Sequence, residues 1–152
     1  MSEVVVVELR GAPLRLWDRA ERHSGELMRE FSLLVIGLGS GGAAVPQRLL
    51  DLVAALQDRF RGVSDGPEQA RLAAAAQGAE AIDLTYRVPV EAGPACDELR
   101  LLFDEADAYC RQGALMTLTS PPDQRAFRDW YLGEFTRQTR GESPTPWTGP
   151  LT

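Results

Sequence analysis

The sequence predicts an α+β fold: a single domain with a small sheet of about three strands covered by about five helices. Three observations predict this class. Several long segments carry apolar residues at alternating steps of three and four, which is typical of amphipathic helices. One segment alternates between apolar and polar residues, as a half-buried strand does. The chain has 152 residues, of which 44% are hydrophobic and 25% charged, and this is typical of one soluble globular domain.

The chain is predicted to begin with a strand and a long helix. The β-branched run at residues 4–9 indicates the strand, and Gly11 and Pro13 end it and open the helix. The helix then reaches a glycine-rich break at residues 37–42. Its apolar stripe consists of Trp17, Ala20, Ser24, Leu27, Phe31, Leu34 and Leu38.

Two further helices and a second strand follow. The second helix is expected over residues 46–60, and an alanine-rich third helix over residues 67–77 after a turn at residues 64–67. Residues 82–88 alternate between apolar and polar side chains, and Pro89 ends this strand. The alternation predicts one buried and one polar face.

The last third of the chain is predicted as helix, strand, helix and tail. The fourth helix covers residues 93–113, a short third strand covers residues 115–119, and the fifth helix extends from the turn at residues 120–123 to Gly141. Residues 142–152 contain three prolines and are expected to be an extended tail. We therefore divide the chain into a single α+β domain, residues 1–141, and a C-terminal tail, residues 142–152.

Charge and composition restrict the partners that the protein can have. The 22 acidic residues exceed the 16 basic ones, which gives a formal net charge of −6 and argues against a nucleic-acid partner. The longest apolar run, at residues 33–38, is far shorter than the roughly 20 residues of a membrane span. Cys96 and Cys110 lie too far apart in one predicted helix to form a disulfide. We expect a cytoplasmic protein with reduced thiols and no membrane contact.

A glycine pattern offers one alternative function. Gly37, Gly39 and Gly42 have the spacing of a dinucleotide-binding turn, in which glycine lets the backbone approach the phosphates. That turn needs a strand before it, whereas the apolar stripe predicts a helix there. A break between two helices is the simpler interpretation, and a nucleotide or small-ligand site at this turn is kept as an alternative.

The sequence predicts no catalytic residue, no metal site and no cofactor. His23 is the only histidine and is expected to be half-exposed on the first helix, so a catalytic triad or a histidine metal cluster has no other member. The fourth helix carries several acidic residues that are expected on a solvated face, with a docking surface for a basic partner as the alternative. These are Asp97, Glu98, Asp104, Glu105 and Asp107.

The last helix and the tail hold the candidate protein-binding residues. Trp, Tyr and Arg dominate the energetics of protein interfaces, and the exposed parts of this region are expected to include Arg128, Trp130, Tyr131, Glu134 and Trp147. For the helix aromatics core packing is the simpler interpretation and contact with a partner is the alternative, and Trp147 either folds back onto the domain or is offered to a partner. A homo-oligomer formed through the stripe of the first helix is a further alternative.

Parts of the chain resemble a family of small, uncharacterised actinobacterial proteins. The resemblance rests on Leu16-Trp17, Glu30-Phe31, residues 83–89, 118–122 and 127–135, and the Pro144-x-Pro146-Trp147 tail. Members occur near the ATP-binding anti-sigma factors and phosphatases of partner-switching modules, which implies a regulatory or accessory role and no catalytic residues. Our leading hypothesis is a non-enzymatic, cytoplasmic regulatory protein that acts by binding another protein, in an anti-sigma partner-switch circuit.

Overall fold

The structure, a computed structural model, describes residues 3–38, 43–113 and 115–152. Within these residues it contains five α-helices and one two-stranded antiparallel sheet, which confirms the α+β class. In chain order the elements are β1 (Val4–Pro13), α1 (Leu14–Leu38), α2 (Ala44–Arg59), α3 (Asp65–Ala76), β2 (Ala81–Pro89), α4 (Ala92–Gln112), a short 3-10 helix (Met116–Leu118) and α5 (Pro122–Thr139).

The sheet buries one face and leaves the other to solvent. β1 pairs with β2 in an antiparallel register that places Val4 opposite Pro89 and Leu9 opposite Leu84. Because successive side chains of a strand point to opposite faces, every second residue enters the core. The alternating buried set is Val7, Leu9, Leu84, Tyr86 and Val88, and Ala12 and Pro13 are also buried at the end of β1.

β1 is longer than the predicted strand because a bulge lets it continue. The register shifts between Leu9 and Ala12, and Gly11 adopts a positive φ of 67° there. The Oδ1 atom of Asp83 accepts the Gly11 amide at 2.7 Å. This bond secures the bulge, so that pairing resumes and β1 ends at Pro13 rather than at residue 9.

The helices cover the inner face of the sheet and form a second apolar cluster beyond it. Trp17 of α1 joins the cluster against the sheet, whereas Leu27 and Phe31 of α1 join the cluster with α2, α4 and α5. The predicted stripe of the first helix is therefore packed mainly inside the chain. A homo-oligomer formed through this stripe stays a prediction.

The predicted third strand is wrong. Residues 115–119 form a short 3-10 helix, in which the Leu118 amide donates to the Leu115 carbonyl oxygen at 2.9 Å and the Thr119 amide to that of Met116 at 3.2 Å. Leu118 is buried in the cluster between α4 and α5. A short apolar run satisfies a strand pattern and a tight turn equally well, and here burial of one leucine is the element's contribution to the core.

α4 and α5 approach each other closely at a glycine. The Thr136 hydroxyl donates to the Gly93 carbonyl oxygen at 2.9 Å, which joins the two helices directly. A Cβ atom at Gly93 would overlap the Thr139 hydroxyl. The absence of a side chain at this position therefore sets the distance between the two helices.

Candidate functional site

The tail folds back onto the domain and lies in a groove beside α5. One wall is a single face of α5, on which Phe127, Trp130, Glu134 and Gln138 follow one another at steps of three and four. The other wall is β1 at Arg10, whose carbonyl oxygen accepts the Trp147 amide at 3.0 Å. We call the space between these five residues the tail groove.

Two side chains of α5 hold the backbone of one tail residue. Glu134 is fully buried, and its Oε1 atom accepts the Thr145 amide at 2.6 Å. Trp130 donates its indole N–H to the carbonyl oxygen of the same Thr145 at 2.7 Å. Arg137 donates to the second oxygen of Glu134 at 2.8 Å, which pairs the buried charge. Both main-chain groups of Thr145 are thus bound by side chains one helical turn apart.

The Trp147 ring completes an aromatic cluster in the tail groove. Its centroid lies 5.5 Å from the Trp130 ring and 6.0 Å from the Phe127 ring, and the planes are inclined at 64° and 72°. Such tilted and edge-on arrangements suit the quadrupoles of aromatic rings. Trp147 is half-buried and folds back onto the domain, which is one of the two positions that the sequence left open.

The candidate binding residues lie partly or wholly inside the protein. Trp130 and Glu134 are buried, while Arg128, Tyr131 and Trp147 are half-buried. The structure brings Trp130, Glu134 and Trp147 together in the tail groove and directs Arg128 and Tyr131 to other parts of the molecule. Their role in binding a partner stays a prediction.

Arg128 joins α5 to α4 and to the turn before α5. Its guanidinium donates to Asp104 at 3.1 Å, to Asp107 at 3.2 Å and to the Ser120 hydroxyl at 3.0 Å. Asp107 is only 2% exposed and also accepts the Ser120 amide at 3.0 Å. The expected solvated position of Asp107 is therefore wrong, because this carboxylate holds the turn and the arginine inside the protein.

Tyr131 lies between two cavities, which have volumes of about 250 and 480 Å³. Both cavities are lined by Leu99, Tyr131 and Leu132, and the larger also reaches Cys96. Burial raises the pKa of Tyr131 well above its usual value and that of Cys96 to about 12. The thiol is therefore protonated at neutral pH and is a poor nucleophile.

The remaining features that the sequence analysis considered are the single histidine, the glycine pattern and the two cysteines. His23 is half-buried and donates from Nε2 to the Leu118 carbonyl oxygen at 2.9 Å, which ties α1 to the 3-10 helix. Gly37 lies in the last turn of α1, where a helix and not a strand precedes the glycine pattern. Gly39 and Gly42 lie outside the described residues. Cys96 and Cys110 are both free.

Residues 3–38, 43–113 and 115–152 contain neither a candidate cluster of metal ligands nor a candidate membrane-spanning helix. No three His, Cys, Asp or Glu side chains of these ranges come together in a way that could hold a metal ion. Among the helices of the same ranges, none is both long enough and apolar enough to cross a membrane.

Comparisons with known proteins find nothing similar. No family model matches the chain, and no curated protein and no solved structure matches it. The resemblance to the actinobacterial family stays a prediction.

Sequence reasoning missed Gln138 and Arg10 of the tail groove and Thr145 of the tail that lies in it. Gln138 donates from Nε2 to the Glu8 carbonyl oxygen at 2.8 Å and accepts the Glu8 amide at 2.9 Å. The only local signal was the spacing of residues 127, 130, 134 and 138 on one face of the last helix. That face contains a carboxylate and an amide among aromatic residues, which marks a buried polar contact rather than a plain core.

Proposed function

We propose that this chain is a non-enzymatic protein-binding module, regulatory or accessory in kind, which takes an extended segment of a partner into the tail groove. The observation that carries the proposal is the double hold of Glu134 and Trp130 on the backbone of Thr145. In the isolated chain its own tail occupies the groove.

Recognition of the main chain supports a groove that accepts other sequences. Glu134 and Trp130 bind the amide and carbonyl groups of Thr145, whose own side chain is exposed. Every residue except proline offers the same two groups. Domains that bind extended peptides use the main chain for affinity and pockets for specificity in this way.

The aromatic cluster supports a preference for an aromatic side chain two positions further on. Trp147 packs against Trp130 and Phe127, and Pro144 and Pro146 flank the bound residue. Prolines favour an extended conformation before binding, so less conformational entropy is lost when the segment is held. The partner segment that fits is therefore extended, framed by proline and equipped with Trp or another large aromatic residue.

Occupation of the groove by the tail supports a regulatory role. A segment joined to its site by a short linker acts at an effective concentration in the millimolar range. A partner therefore competes with the tail, and any change that loosens the tail raises the apparent affinity for the partner. The anti-sigma partner-switch circuit and the cytoplasmic location stay predictions.

A labelled peptide of residues 142–152 tests the groove in the full-length chain. The Trp147→Ala variant weakens the chain's own tail, so we expect it to bind the peptide at least about tenfold more tightly than the wild type does. Fluorescence anisotropy measures the dissociation constants, and circular dichroism checks the fold. Thr148→Ala is the matched control, because this residue is the exposed neighbour of Trp147 and its substitution should behave as wild type.

Adding Glu134→Ala to the Trp147→Ala chain should abolish peptide binding, since the side chain that accepts the backbone amide at the position of Thr145 is removed. Lysate proteins captured by Trp147→Ala but not by this double variant would be groove ligands. A folded Trp147→Ala chain that gives a flat anisotropy titration, or a capture that is identical for both variants, would refute the proposal.

A further inference from the structure

The hydrogen-bonding pattern of the sheet fixes which backbone groups of β1 point away from β2. Glu3 accepts the Val90 amide across the sheet at 2.9 Å. Glu8, by contrast, donates its amide to the Gln138 side chain and accepts a hydrogen bond from the same side chain at its carbonyl oxygen. The Arg10 carbonyl oxygen accepts the Trp147 amide. In an antiparallel pair, hydrogen-bonded and non-hydrogen-bonded residues alternate. Before the bulge, the even-numbered residues of β1 therefore direct their backbone groups to the outer edge.

This outer edge is filled over only half of its length. Gln138 and the tail occupy the edge at Glu8 and Arg10. Within the described part of the chain, no hydrogen bond from another segment reaches the outward amide and carbonyl groups of Val4 and Val6. The side chains of these two residues are 56% and 49% exposed. An apolar strand edge with unpaired amide and carbonyl groups is a template for another strand.

We infer that the edge at Val4 and Val6 pairs with β1 of a second copy of this chain, antiparallel and with the two-fold axis at Val5. Val4 of each copy then forms reciprocal backbone hydrogen bonds with Val6 of the other. The two sheets become one continuous sheet in the order β2, β1, β1, β2. The inference rests on β1 and is independent of the proposed use of the tail groove.

The ends of the free stretch match those of a second copy. Gln138 closes the edge at Glu8, so an incoming strand can pair only over residues 3–7 before it meets that side chain. A second copy presents a stretch of the same length that ends at its own Gln138. A two-fold axis at Val5 places each stretch opposite the other, with residues 3 and 7 facing across the pair.

Side chains and charges favour the antiparallel arrangement. It brings the exposed Val4 and Val6 of both copies into one row on the outer face, and β-branched neighbours across a sheet stabilise pairing. Glu3 faces Val7, so no like charges lie directly opposite each other. A parallel arrangement in register would place Glu3 opposite Glu3 and Glu8 opposite Glu8, which repel.

Mass measurements and one cysteine variant test the inference. We expect light scattering to show the mass rising from 16.7 kDa toward twice that value between micromolar and millimolar concentrations. Val6→Lys places a charge in the valine row and should raise the dissociation constant of the dimer at least about tenfold. Thr85→Lys is the control, since Thr85 lies on the same face but on β2 and should leave the dimer intact.

Val5→Cys reports the register directly. At the axis the two Val5 residues form a non-hydrogen-bonded pair, in which the Cα atoms are about 4.5 Å apart and within disulfide range. We expect a covalent dimer under mild oxidation from Val5→Cys and none from Val4→Cys, which faces Val6. A wild-type chain that stays monomeric at all concentrations would overturn the inference. So would a dimer that survives Val6→Lys and gives no Val5→Cys crosslink.

Discussion

Gln138 and Glu8 form a pair of hydrogen bonds that imitates a missing strand. The Gln138 side chain donates to the Glu8 carbonyl oxygen at 2.8 Å and accepts the Glu8 amide at 2.9 Å, although the two residues are 130 positions apart. A primary amide carries the same donor and acceptor as a peptide group. One side chain of α5 therefore ends the open edge of β1 where the tail begins to cover it.

Replacement of Gln138 by alanine should destabilise the protein. Gln138→Ala leaves two backbone groups of Glu8 without partners, and we expect the free energy of unfolding to fall by about 1–3 kcal/mol. Urea unfolding measures the change, and hydrogen exchange of the Glu8 amide should accelerate. Gln112→Ala, at an exposed helix end, is the control and should change stability by less than about 0.5 kcal/mol. An unchanged Glu8 exchange rate in Gln138→Ala would contradict the capping role.

The Glu134→Gln substitution should release the tail from the groove while the domain stays folded. The buried carboxylate accepts from Thr145 at one oxygen and from Arg137 at the other, whereas in Glu134→Gln one of these two donors faces the NH2 group, donor against donor. We expect a loss of about 1–3 kcal/mol and faster exchange of the Thr145 amide. Glu142→Gln, an exposed change in the same tail, should have neither effect. Equal protection of Thr145 in both variants would show that Glu134 does not hold the tail.

Two glycine substitutions should have opposite effects. Gly93→Ala places a Cβ atom where the Thr139 hydroxyl lies, so the Thr139 side chain or the two helices must move, at a cost of about 1–3 kcal/mol. Gly25→Ala adds a methyl group to an exposed position of α1 with open space around it. Alanine is a better helix former there, and stability should rise by about 0.5–1 kcal/mol. Thermal unfolding of both variants decides the prediction, which fails if Gly93→Ala is as stable as wild type.

Stability should fall at alkaline pH. Burial raises the pKa of Tyr86 from 10.0 to about 12 and that of Cys96 from 9.0 to about 12, with the Tyr131 hydroxyl opposing part of the Tyr86 shift. Both groups are acids that the fold keeps neutral, so their contribution is complete below the unfolded pKa. It is lost as the pH rises through the folded pKa, between about pH 9 and 12.

Urea midpoints measured across that pH range test the linkage. Tyr86→Phe keeps the ring that packs 5.0 Å from Phe135 and removes the ionising hydroxyl, so its stability should depend less steeply on pH than that of wild type. The difference should approach about 2 kcal/mol above pH 11. Parallel curves for the two proteins would show that Tyr86 does not contribute.

Local sequence patterns predicted the helices and β2, because the buried residues of these elements recur at a regular spacing along the chain. The stripe of the first helix places Leu27 and Phe31 in the core, and the alternation at residues 82–88 appears in β2 as buried Leu84, Tyr86 and Val88. The period of the apolar residues carries this information by itself. Residues 115–119 were too few to show a period, and a 3-10 helix formed there.

The candidate site was only partly predictable because its contacts join distant residues. Trp130, Glu134 and Trp147 were selected as candidates for a surface that binds a partner, because Trp, Tyr and Arg dominate protein interfaces. Glu134 instead binds the backbone of Thr145, and Asp107 is buried beside Arg128. A carboxylate is buried when a specific donor meets it, and no local pattern specifies a donor that another segment supplies.

The pairing of β1 with β2 also determines the order in which the chain can fold. Gly11 and Asp83 lie 72 positions apart, and three helices separate the two strands. The entropy of closing so long a loop has to be overcome before the sheet can form. β1 is therefore synthesised before β2 and pairs with it late in folding. During synthesis the valines of β1 are open to other nascent chains, and the yield of refolding should therefore decrease as protein concentration rises.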